Sequence, residues 1–473
     1  MPGAEAGPEA GAEPGVRSGL ELSSPRVVHI VALGGGAMSA LATVLTRMGH
    51  RVSGSDVRDS HTLERIRLLG VDVRVGHDAA NVPPDADMVI ASTAIGAANP
   101  EVLRARELGI PVLRRADAQR LVVATRRTIA VAGSHGKTTT SSMLALILRA
   151  AEWQPSFLIG AVLNEVGANA MWDDGEWLVV EADESDGTFL ELAAEAAIVT
   201  NVEPDHLNYY GSFAALRTAF EQFVDTTPGP CVVSADDPVS RELATRRDDI
   251  ITFGFADDAD YALRDYEGRR DGTRFALVRD DAELGVVDLP IPGRHNALNA
   301  AAAAAVAIEL GVQFPVVARA LGAFAGVSRR FQFRGERDGV TFIDDYAHLP
   351  GEVHSMIGAA REGDWERVVV VFQPHRFSRI ALLWQDFADA FLGADTVVLT
   401  DIYPENEAPR PGVSGRLVLH AVLDAHPDTN VVYLPRRADL LEHVPRLARA
   451  GDLVLTLGPG DLTSLPDEWL ARA

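Results

Sequence analysis

The sequence predicts an α/β protein built from three domains. Three observations lead to that fold class: a length of 473 residues, an alternation of short apolar strands with helical stretches from Arg26 onward, and a glycine-rich phosphate loop between a strand and a helix. A single hydrophobic core rarely grows beyond roughly 250 to 300 residues, so this chain is expected to divide into domains of about 100 to 200 residues each.

The first domain is predicted over residues 26–124. Its strands are the runs VVHIVAL, RVSGSD and DMVIAS, and the first run leads into three consecutive glycines. Strands that alternate with helical stretches in this way are typical of a parallel sheet. Residues 1–25 are mainly Ala, Gly, Glu and Pro. Because they bury too little apolar surface to offset their chain entropy, they are predicted to be a disordered tail.

The second domain is predicted over residues 125–324 and the third over residues 325–473. The second begins with the strand TIAVAG and a helix from about Thr138 to Ala151, and continues through the strands WLVVEAD, AAIVTNV and PCVVSAD. The runs YALRDY, FALVRD and GVVDLP favour antiparallel pairing, and an Ala-rich helix from Ala297 to about Leu310 closes the domain. The third domain alternates again, with strands in VTFIDDY, RVVVVFQ, TVVLTDIY, NVVYLP and DLVLTLG.

Composition and charge exclude several functional classes. Apolar residues make up 47% of the chain, and no window approaches the ~18 uninterrupted apolar residues of a membrane span, so we expect no membrane insertion. The net charge of -24 repels phosphate backbones and no basic patch offsets it, so nucleic acid is not an expected partner. The single cysteine, Cys231, cannot form an internal disulfide, and no secretion signal is recognisable, so we expect a cytoplasmic protein.

The strongest local motif is GSHGKTTT, which follows a strand and opens a helix. There, backbone N–H groups and the helix dipole can hold phosphates, Lys137 can contact the β and γ phosphates, and the hydroxyl of Thr138 can reach Mg²⁺. The standard spacing is not met, because Val131 stands six positions before the lysine where a glycine is usual. The alternative interpretation is an ordinary glycine turn with a capped helix.

The lysine of this motif has no counterpart elsewhere in the chain. Of the 43 basic residues, 42 are arginine and only Lys137 is lysine. A compact ammonium on a flexible stem fits between phosphates where a planar guanidinium does not, which explains why this one position keeps a lysine. The count therefore favours the phosphate-loop interpretation.

Acidic residues follow two predicted strands of the second domain. Glu181 opens the segment EADESD after WLVV, and EPDH, which ends at His206, follows AAIVTN. The carboxyl ends of parallel strands are where a magnesium site is expected in an open α/β sheet. The alternative is a solvated acidic loop with a structural histidine, but placement directly after buried strands favours a metal site.

Taken in chain order, these and later motifs resemble those of the Mur ligases. The matching segments are GSHGKTTT, EADESD, TNVEPDH, GRHNALNA, SRRF, DDYAH and QPHRFSR, and the similarity spans roughly residues 26–463. The resemblance implies an N-terminal Rossmann-like domain for a UDP-linked substrate, a central P-loop ATPase domain and a C-terminal Rossmann-like domain. It also implies an enzyme of peptidoglycan precursor synthesis that uses ATP and Mg²⁺ to join L-alanine to the carboxylate of UDP-N-acetylmuramate through an acyl phosphate.

The resemblance also implies which residues bind ATP and magnesium. The loop contacts are Gly133, Ser134, His135, Gly136, Lys137, Thr138 and Thr139. Asn296 and Asn299 are similar to the adenine contacts, and their spacing lets them face one pocket; the alternative is an N-cap and an exposed amide. Arg330 is similar to a phosphate contact and Asp345 to a ribose contact. Thr138 and Glu181 correspond to the ligands of one Mg²⁺ and His206 to a ligand of the second.

The resemblance also implies which residues bind the UDP sugar and the amino acid. In the first domain, Gly34, Gly35 and Gly36 correspond to the turn that faces the UDP diphosphate, and Ser55, Asp56 and His77 to the uridine side. His348, Arg376 and Arg379 look like the residues around the muramyl carboxylate and the incoming amino acid. Lys137, His348 and Arg376 are the candidate catalytic residues, with the last two acting mainly by positioning the amino acid.

The sequence also departs from the family pattern. Ala32 and Ala37 stand at two glycine positions of the first turn, where extra methyl groups could crowd a backbone approach. Leu349 replaces the second histidine of the family's DDYxHHP, and GPGDL at residues 458–462 replaces GAGDI. Because several relatives use a carbamylated lysine and this chain has none to spare, Glu221 is a candidate substitute; a surface acid is the alternative.

Three other functions stay open at this point. One is a ligase that joins a preformed peptide to the same UDP sugar, and another is a divergent paralogue with altered UDP-substrate binding. The third is a P-loop protein that is not a ligase, such as a kinase or a nucleotide switch, because the loop alone does not specify the acceptor.

Overall fold

The computed structural model describes residues 20–472 of the chain. Residues 20–127, with the short segments 170–172 and 191–193, form one compact unit, and the other described residues form a second. Of the predicted tail, residues 1–19 lie outside the described part; residues 20–25 contain no helix or strand, and Leu22 is buried. Three sheets flanked by helices confirm the predicted three-domain α/β organisation. The predicted boundaries at 124/125 and 324/325 separate the three sheets.

The first sheet has five parallel strands. They are β1 (Val27–Val31), β2 (Arg51–Asp56), β3 (Asp72–Val75), β4 (Met88–Ala91) and β5 (Val112–Arg114). The helices are α1 (Gly36–Arg47), α2 (His61–Leu68), α3 (Pro100–Glu107) and α4 (Arg115–Val123). The strand order is β3-β2-β1-β4-β5, so the connections reverse direction between β1 and β4. Ligands of open α/β sheets bind beyond the carboxyl ends of the strands at such a point.

The second sheet has ten strands. They are β6 (Arg127–Ala132), β7 (Ser156–Leu163), β8 (Ala168–Met171), β9 (Trp177–Glu181), β10 (Ala196–Val199), β11 (Cys231–Ser234), β12 (Ile250–Gly254), β13 (Tyr261–Arg269), β14 (Gly272–Arg279) and β15 (Ala282–Leu289). Their order is β15-β14-β13-β12-β11-β10-β6-β9-β7-β8. The antiparallel pairing predicted for the last three strands is confirmed.

Six helices accompany this sheet. They are α5 (Lys137–Ala150), α6 (Leu207–Tyr210), α7 (Phe213–Thr226), α8 (Pro238–Leu243), α9 (Arg294–Glu309) and α10 (Phe314–Gly322). The Ala-rich α9 packs against α5 and several strands, and Ala300 to Ala305 are fully buried. Alanine side chains are small enough for close packing of neighbouring elements. This packing places the start of α9 beside the phosphate loop that precedes α5.

The third sheet has six strands. They are β16 (Gln332–Arg337), β17 (Val340–Asp345), β18 (Arg367–Phe372), β19 (Thr396–Leu399), β20 (Val431–Tyr433) and β21 (Asp452–Leu457). The order is β16-β17-β21-β18-β19-β20, with only β16 antiparallel to its neighbour. The helices are α11 (Pro350–Arg361), α12 (Phe377–Leu383), α13 (Arg416–Ala425), α14 (Arg437–Leu447) and α15 (Leu465–Ala471). Across residues 20–472, no helix combines the length and the apolar character that crossing a bilayer requires.

Candidate active site

The phosphate loop connects β6 to α5 and depends on two glycines. Gly133 and Gly136 have φ angles of 132° and 82°, a conformation that residues with a side chain rarely adopt. A Cβ atom on Gly133 would overlap the hydroxyl of Thr200, and one on Gly136 would overlap the amide of Asn299. The glycines therefore let the loop turn and let α9 approach it closely. This confirms the predicted strand–loop–helix arrangement.

Lys137 lies at the first position of α5, with its ammonium group held inside the loop. Its Nζ donates to the carbonyl of Gly133 at 2.6 Å and to both carboxylate oxygens of Glu184 at 2.8 and 2.9 Å. Burial alone would lower the pKa of the ammonium, but the charges of Glu184 and Glu181 outweigh burial and raise it. Lys137 therefore stays cationic, as a phosphate-binding lysine must.

Thr138 and Glu181, the two predicted ligands of one magnesium ion, are adjacent. The Thr138 hydroxyl lies 3.0 Å from each carboxylate oxygen of Glu181, and the N–H of Gly160 donates to that carboxylate at 2.8 Å. Hydroxyl and carboxylate oxygens are donors that Mg²⁺ prefers, usually completed by water and phosphate oxygens. The donor chemistry of this pair fits a magnesium ion shared with a bound nucleotide.

His206, the predicted ligand of a second magnesium ion, lies near two carboxylates. Its Nε2 is 3.2 Å from Asp205 and 3.8 Å from Glu184, and its backbone has a left-handed φ of 55°. Within the described part of the chain, no group of three or more His, Cys, Asp and Glu is arranged to hold a metal. A metal here would therefore need oxygens from its substrates or water.

Glu221 lies on α7 and forms a partly exposed ion pair with Arg246, at 3.4 Å. This placement fits the alternative of a surface acid, and no contact of Glu221 brings it to the residues around His206.

A cavity of about 200 Å³ lies beside the phosphate loop. Seven of the predicted ATP contacts line it: His135, Gly136, Thr139, Asn296, Asn299, Arg330 and Asp345. The exposed fractions of Asn296 and Asn299 are 5% and 7%, and the residue that caps the N-terminus of α9 is Gly293. The alternative of an N-cap and an exposed amide is therefore wrong, and both amides are available to one pocket.

The third domain contributes Arg330 and Asp345 to this cavity. The carboxylate of Asp345 accepts the backbone N–H groups of Phe331 and Ala347, each at 2.7 Å. Burial raises the pKa of Asp345 to about 6, although Arg330 and the two N–H groups oppose the rise. The guanidinium of Arg330 lies over the ring of Tyr346, which fixes a planar donor at the cavity wall.

The imidazole of His135 joins the phosphate loop to the third domain. Its Nε2 lies 3.0 Å from Glu203 and its Nδ1 lies 3.2 Å from Glu352. Burial would lower the pKa of His135, but the two carboxylates outweigh it and raise the pKa to about 10. Glu352 also accepts the backbone N–H groups of His348 and Leu349 at the start of α11. Glu203 belongs to the EPDH segment, which was predicted as part of a metal site, whereas Glu352 was not predicted.

His348 and Arg379 are brought together by a histidine that was not predicted, His375. The rings of His348 and His375 have centroids 5.6 Å apart, and Arg379 lies 3.0 Å from His375 Nδ1. Burial and the charge of Arg379 lower the pKa of His348 to about 4, against the opposing effect of Glu352. Arg376, in contrast, is turned to Glu405, with which it forms an ion pair.

The predicted UDP-substrate residues of the first domain also pair with one another. The N–H of Gly34 donates to Asp56 at 2.8 Å, and the hydroxyl of Ser55 lies 2.9 Å from His77 Nδ1. These contacts bring the glycine turn and the uridine-side residues to the carboxyl ends of β1 and β2.

Ala32 and Ala37, which stand at glycine positions of the first turn, differ in whether an alanine strains the backbone. Ala32 has a left-handed φ of 66°, which is strained for a residue with a Cβ by about 1–2 kcal/mol. Ala37 lies in the first turn of α1 with its side chain exposed. Only Ala32 therefore stands where glycine has a conformational advantage.

Comparisons with known proteins cover nearly the whole described chain. The models named Mur ligase family, catalytic domain; Mur ligase middle domain; and Mur ligase, glutamate ligase domain match residues 27–127, 131–307 and 329–460, respectively. A UDP-N-acetylmuramate–L-alanine ligase of Bradyrhizobium sp. is 44% identical over 460 residues, covering 94% of this chain and 98% of that protein.

Solved structures agree with the sequence relatives. The UDP-N-acetylmuramate-alanine ligase of Thermotoga maritima superimposes with a TM-score of 0.79 at 30% identity and covers 94% of this chain and 99% of that chain. A murein peptide ligase from Psychrobacter arcticus superimposes with a TM-score of 0.68 at 24% identity, covering 94% of this chain and 98% of that chain. At that identity, the similarity to the murein peptide ligase shows a shared fold and nothing more.

Proposed function

Because the chain belongs to the Mur ligase family, we propose that it joins L-alanine to the carboxylate of UDP-N-acetylmuramate with cleavage of ATP to ADP and phosphate, a step of peptidoglycan precursor synthesis. The observation that carries this proposal is the 44% identity, over nearly the full length of both proteins, to a ligase of that name. That relative is named for L-alanine, so an amino acid rather than a peptide is the proposed acceptor.

The phosphate loop and the adjoining cavity are the proposed ATP site. Asn296 and Asn299 bind the adenine, Asp345 the ribose and Arg330 a phosphate. The N–H groups of residues 133–139 and the ammonium of Lys137 bind the β and γ phosphates. Lys137 then exchanges its contacts with Glu184 for phosphate oxygens, so its charge is neutralised with or without nucleotide.

Magnesium is proposed to bind between the nucleotide and the acidic residues. Thr138 and Glu181 would hold one ion and His206 a second. When bound, the ions would neutralise part of the negative charge of ATP and of the UDP sugar, which are both anionic.

Activation of the carboxylate comes first in the proposed reaction. A carboxylate and an amine do not condense in water at neutral pH, so a carboxylate oxygen of the UDP sugar attacks the γ-phosphorus in line and ADP leaves. The product is an acyl phosphate. Lys137 stabilises the charge on the transferred phosphoryl group, as expected for a reaction that depends on positioning and electrostatics.

The neutral amine of L-alanine then attacks the acyl carbon, the bond from that carbon to the phosphate oxygen breaks, and the leaving phosphate carries away one oxygen of the former carboxylate and takes up the amine proton. His348, Arg376 and Arg379 are proposed to hold the amino acid and the muramyl carboxylate. Burial and the charge of Arg379 lower the pKa of His348, which favours the neutral imidazole and a positioning role. Contacts of the third domain with the phosphate loop help to exclude water, which would hydrolyse the acyl phosphate.

The first domain is proposed to bind the UDP moiety. The turn of Gly34, Gly35 and Gly36 faces the diphosphate, while Ser55, Asp56 and His77 bind the uridine side. Backbone N–H groups of such a turn are suited to phosphate oxygens.

Phosphate release across a matrix of acceptors tests the proposed function. Purified protein with ATP and Mg²⁺ is supplied with UDP-N-acetylmuramate or UDP-N-acetylglucosamine, each combined with L-alanine, glycine, D-alanine or a tripeptide. We expect release above background only with UDP-N-acetylmuramate, and the highest rate with L-alanine. A tripeptide preference would indicate a peptide ligase, and release without any acceptor would indicate a different P-loop activity.

A further inference from the structure

The first domain contains a buried carboxylate, Glu101, that the proposed mechanism does not use. It is the second residue of α3 and has no exposed surface. Burial would raise the pKa of Glu101, but the nearby imidazole of His29 and the hydrogen bonds from Ser55 and Asn81 outweigh burial and lower it to about 2. A buried ionised carboxylate is tolerated only where polar groups surround it.

The two oxygens of Glu101 have different partners. Oε1 accepts from the side-chain amide of Asn81 at 2.6 Å and from the backbone N–H of Asp78 at 3.3 Å, which fastens the loop after β3. Oε2 accepts the hydroxyl of Ser55 at 2.5 Å and lies 3.4 Å from Nδ1 of His77 and 3.6 Å from Nε2 of His29. The second oxygen therefore touches the residues proposed for the uridine side.

This contact determines where the protons of Ser55 and His77 lie. An ionised carboxylate only accepts hydrogen bonds, so the single hydroxyl hydrogen of Ser55 points to Glu101. The Ser55 oxygen is also 2.9 Å from His77 Nδ1, and it has no hydrogen left to donate there. His77 Nδ1 must therefore carry a proton and donate it to Ser55.

The other ring nitrogen of His77 follows from this arrangement. In a neutral imidazole with its proton on Nδ1, Nε2 is an acceptor. Within residues 20–472 this atom is buried and has no hydrogen-bond partner. A buried polar atom without a partner is unfavourable unless a ligand supplies one. The missing partner is a hydrogen-bond donor.

We propose that Glu101 is a positioning residue that acts through Ser55 to keep the proton of His77 on Nδ1, so that Nε2 accepts a hydrogen bond from an N–H of the pyrimidine base. Uracil carries N–H at position 3, whereas cytosine has an unprotonated nitrogen there. Glu101 therefore contributes to the choice of a uridine over a cytidine nucleotide. This inference rests on the proposed function, because it takes the uridine side from the proposed UDP-substrate site.

The test compares the binding of UDP and CDP to the full chain by calorimetry, at about pH 8.5, where an ordinary histidine is neutral. We expect the wild-type chain to bind UDP about tenfold or more tightly than CDP, the size of one buried hydrogen bond. In Glu101→Gln, the amide can donate to Ser55, so the Ser55 hydroxyl can turn to His77 and the imidazole proton can move to Nε2. The UDP:CDP affinity ratio should then fall about tenfold.

Two controls separate this role from a structural one. Asn81→Ala removes a hydrogen bond to the same carboxylate but leaves the Ser55–His77 contact, and Glu107→Gln alters an exposed acid of the same helix. Both should keep the wild-type ratio. If Glu101→Gln does not fold, His77→Phe removes the accepting Nε2 at the end of the same relay and should lower the ratio as well.

A wild-type chain without preference for UDP would overturn the proposal. So would an unchanged ratio in both relay variants, or an equal loss of UDP and CDP, since a merely structural carboxylate would weaken both nucleotides together. Ligation with UDP-N-acetylmuramate and L-alanine, assayed separately on the wild-type chain, shows whether the proposed function itself fails.

Discussion

At the scale of single residues, Lys137 has the strictest chemical requirement. Its ammonium fits between the carbonyl of Gly133 and both oxygens of Glu184. A guanidinium is planar and wider, and its donors are fixed in a fork. The chain uses arginine at every other basic position, so the exception is explained by the shape of this one site.

The variant Lys137→Arg keeps the positive charge and changes its shape. We expect the rate constant kcat of ligation to fall by about 10²–10³-fold, the range seen when one group that stabilises a developing charge is lost. The measurement is phosphate release at saturating substrates, with thermal unfolding to establish that the variant is folded. Arg149→Lys, at the other end of α5, is the control and should retain activity. Near-normal activity of Lys137→Arg would contradict the proposed role.

A second prediction at the residue scale concerns how the contribution of His135 to stability depends on pH. Its pKa is raised from 6.5 to about 10 in the folded chain, so its charge stabilises the fold fully below pH 6.5 and that contribution is lost as the pH rises through about 10. We therefore expect the difference in Tm between wild type and His135→Gln to be largest near pH 6 and to shrink toward pH 10 in the absence of nucleotide.

The exposed His354→Gln on α11 is the matched control, and its Tm difference should not follow this trend. A His135→Gln difference that is constant or grows between pH 6 and pH 10 would refute the interpretation of His135 as a buried cation.

Residue-scale prediction from the sequence was possible where residues stand in contiguous motifs. The phosphate loop, Asn296 and Asn299 are such cases. The pairing of His135 with two glutamates was missed because Glu203 lies 68 residues and Glu352 lies 217 residues away along the chain. Glu101 was missed for the same reason, since it meets Ser55 across 46 residues. A glutamate in a helix carries no sign of burial until the fold is known.

At the scale of elements, the close packing of α5 and α9 sets the geometry of the proposed nucleotide site. Gly136 is left-handed and lies against Asn299, so any side chain there would displace α9. The buried alanines of α9 allow that proximity. The proposed nucleotide site therefore depends on small side chains, which allow close packing, as much as on polar groups.

The variant Gly136→Ala tests this dependence. We expect the Kd for ATP to rise at least about tenfold, because the added methyl group combines left-handed strain of about 1–2 kcal/mol with a clash against Asn299. Gly311→Ala, just after α9, is the control: its φ is 104° and no atom lies near its added Cβ. This control has the strain without the clash and should lose stability but keep its affinity for ATP. Equal affinities in the two variants would contradict the packing argument.

Whether a strand could be predicted from the sequence depended on how many apolar residues it contains. Strands buried on both faces, such as β10 and β21, appear in the sequence as apolar runs and were located. The strands β3 and β5 lie at the edges of the first sheet, and β3 is mostly exposed. Their sequences DVRV and VLR lack a long apolar run, so periodicity could not distinguish them from loops.

At the scale of the whole molecule, the charge distribution fits a site for anionic substrates. The chain carries a net charge of -24, yet cations are placed where ATP and a carboxylate are proposed to meet, namely Lys137, Arg330 and Arg379. Local positive charge can hold an anion against an unfavourable net field, since screened charges beyond about 8–10 Å contribute little. The division into three sheets was predictable from length and alternation, whereas the contacts between the second and third domains were not.

The central claim is that a carboxylate of UDP-N-acetylmuramate is activated by the γ-phosphoryl group of ATP. The most direct measurement uses UDP-N-acetylmuramate labelled with ¹⁸O in its carboxylate, together with ATP, Mg²⁺ and L-alanine, and determines the mass of the released phosphate. Because the carboxylate oxygen that attacks phosphorus leaves with the phosphate, we expect one ¹⁸O atom in each phosphate formed and one fewer in the amide product. Unlabelled phosphate released together with the ligated product would contradict the claim.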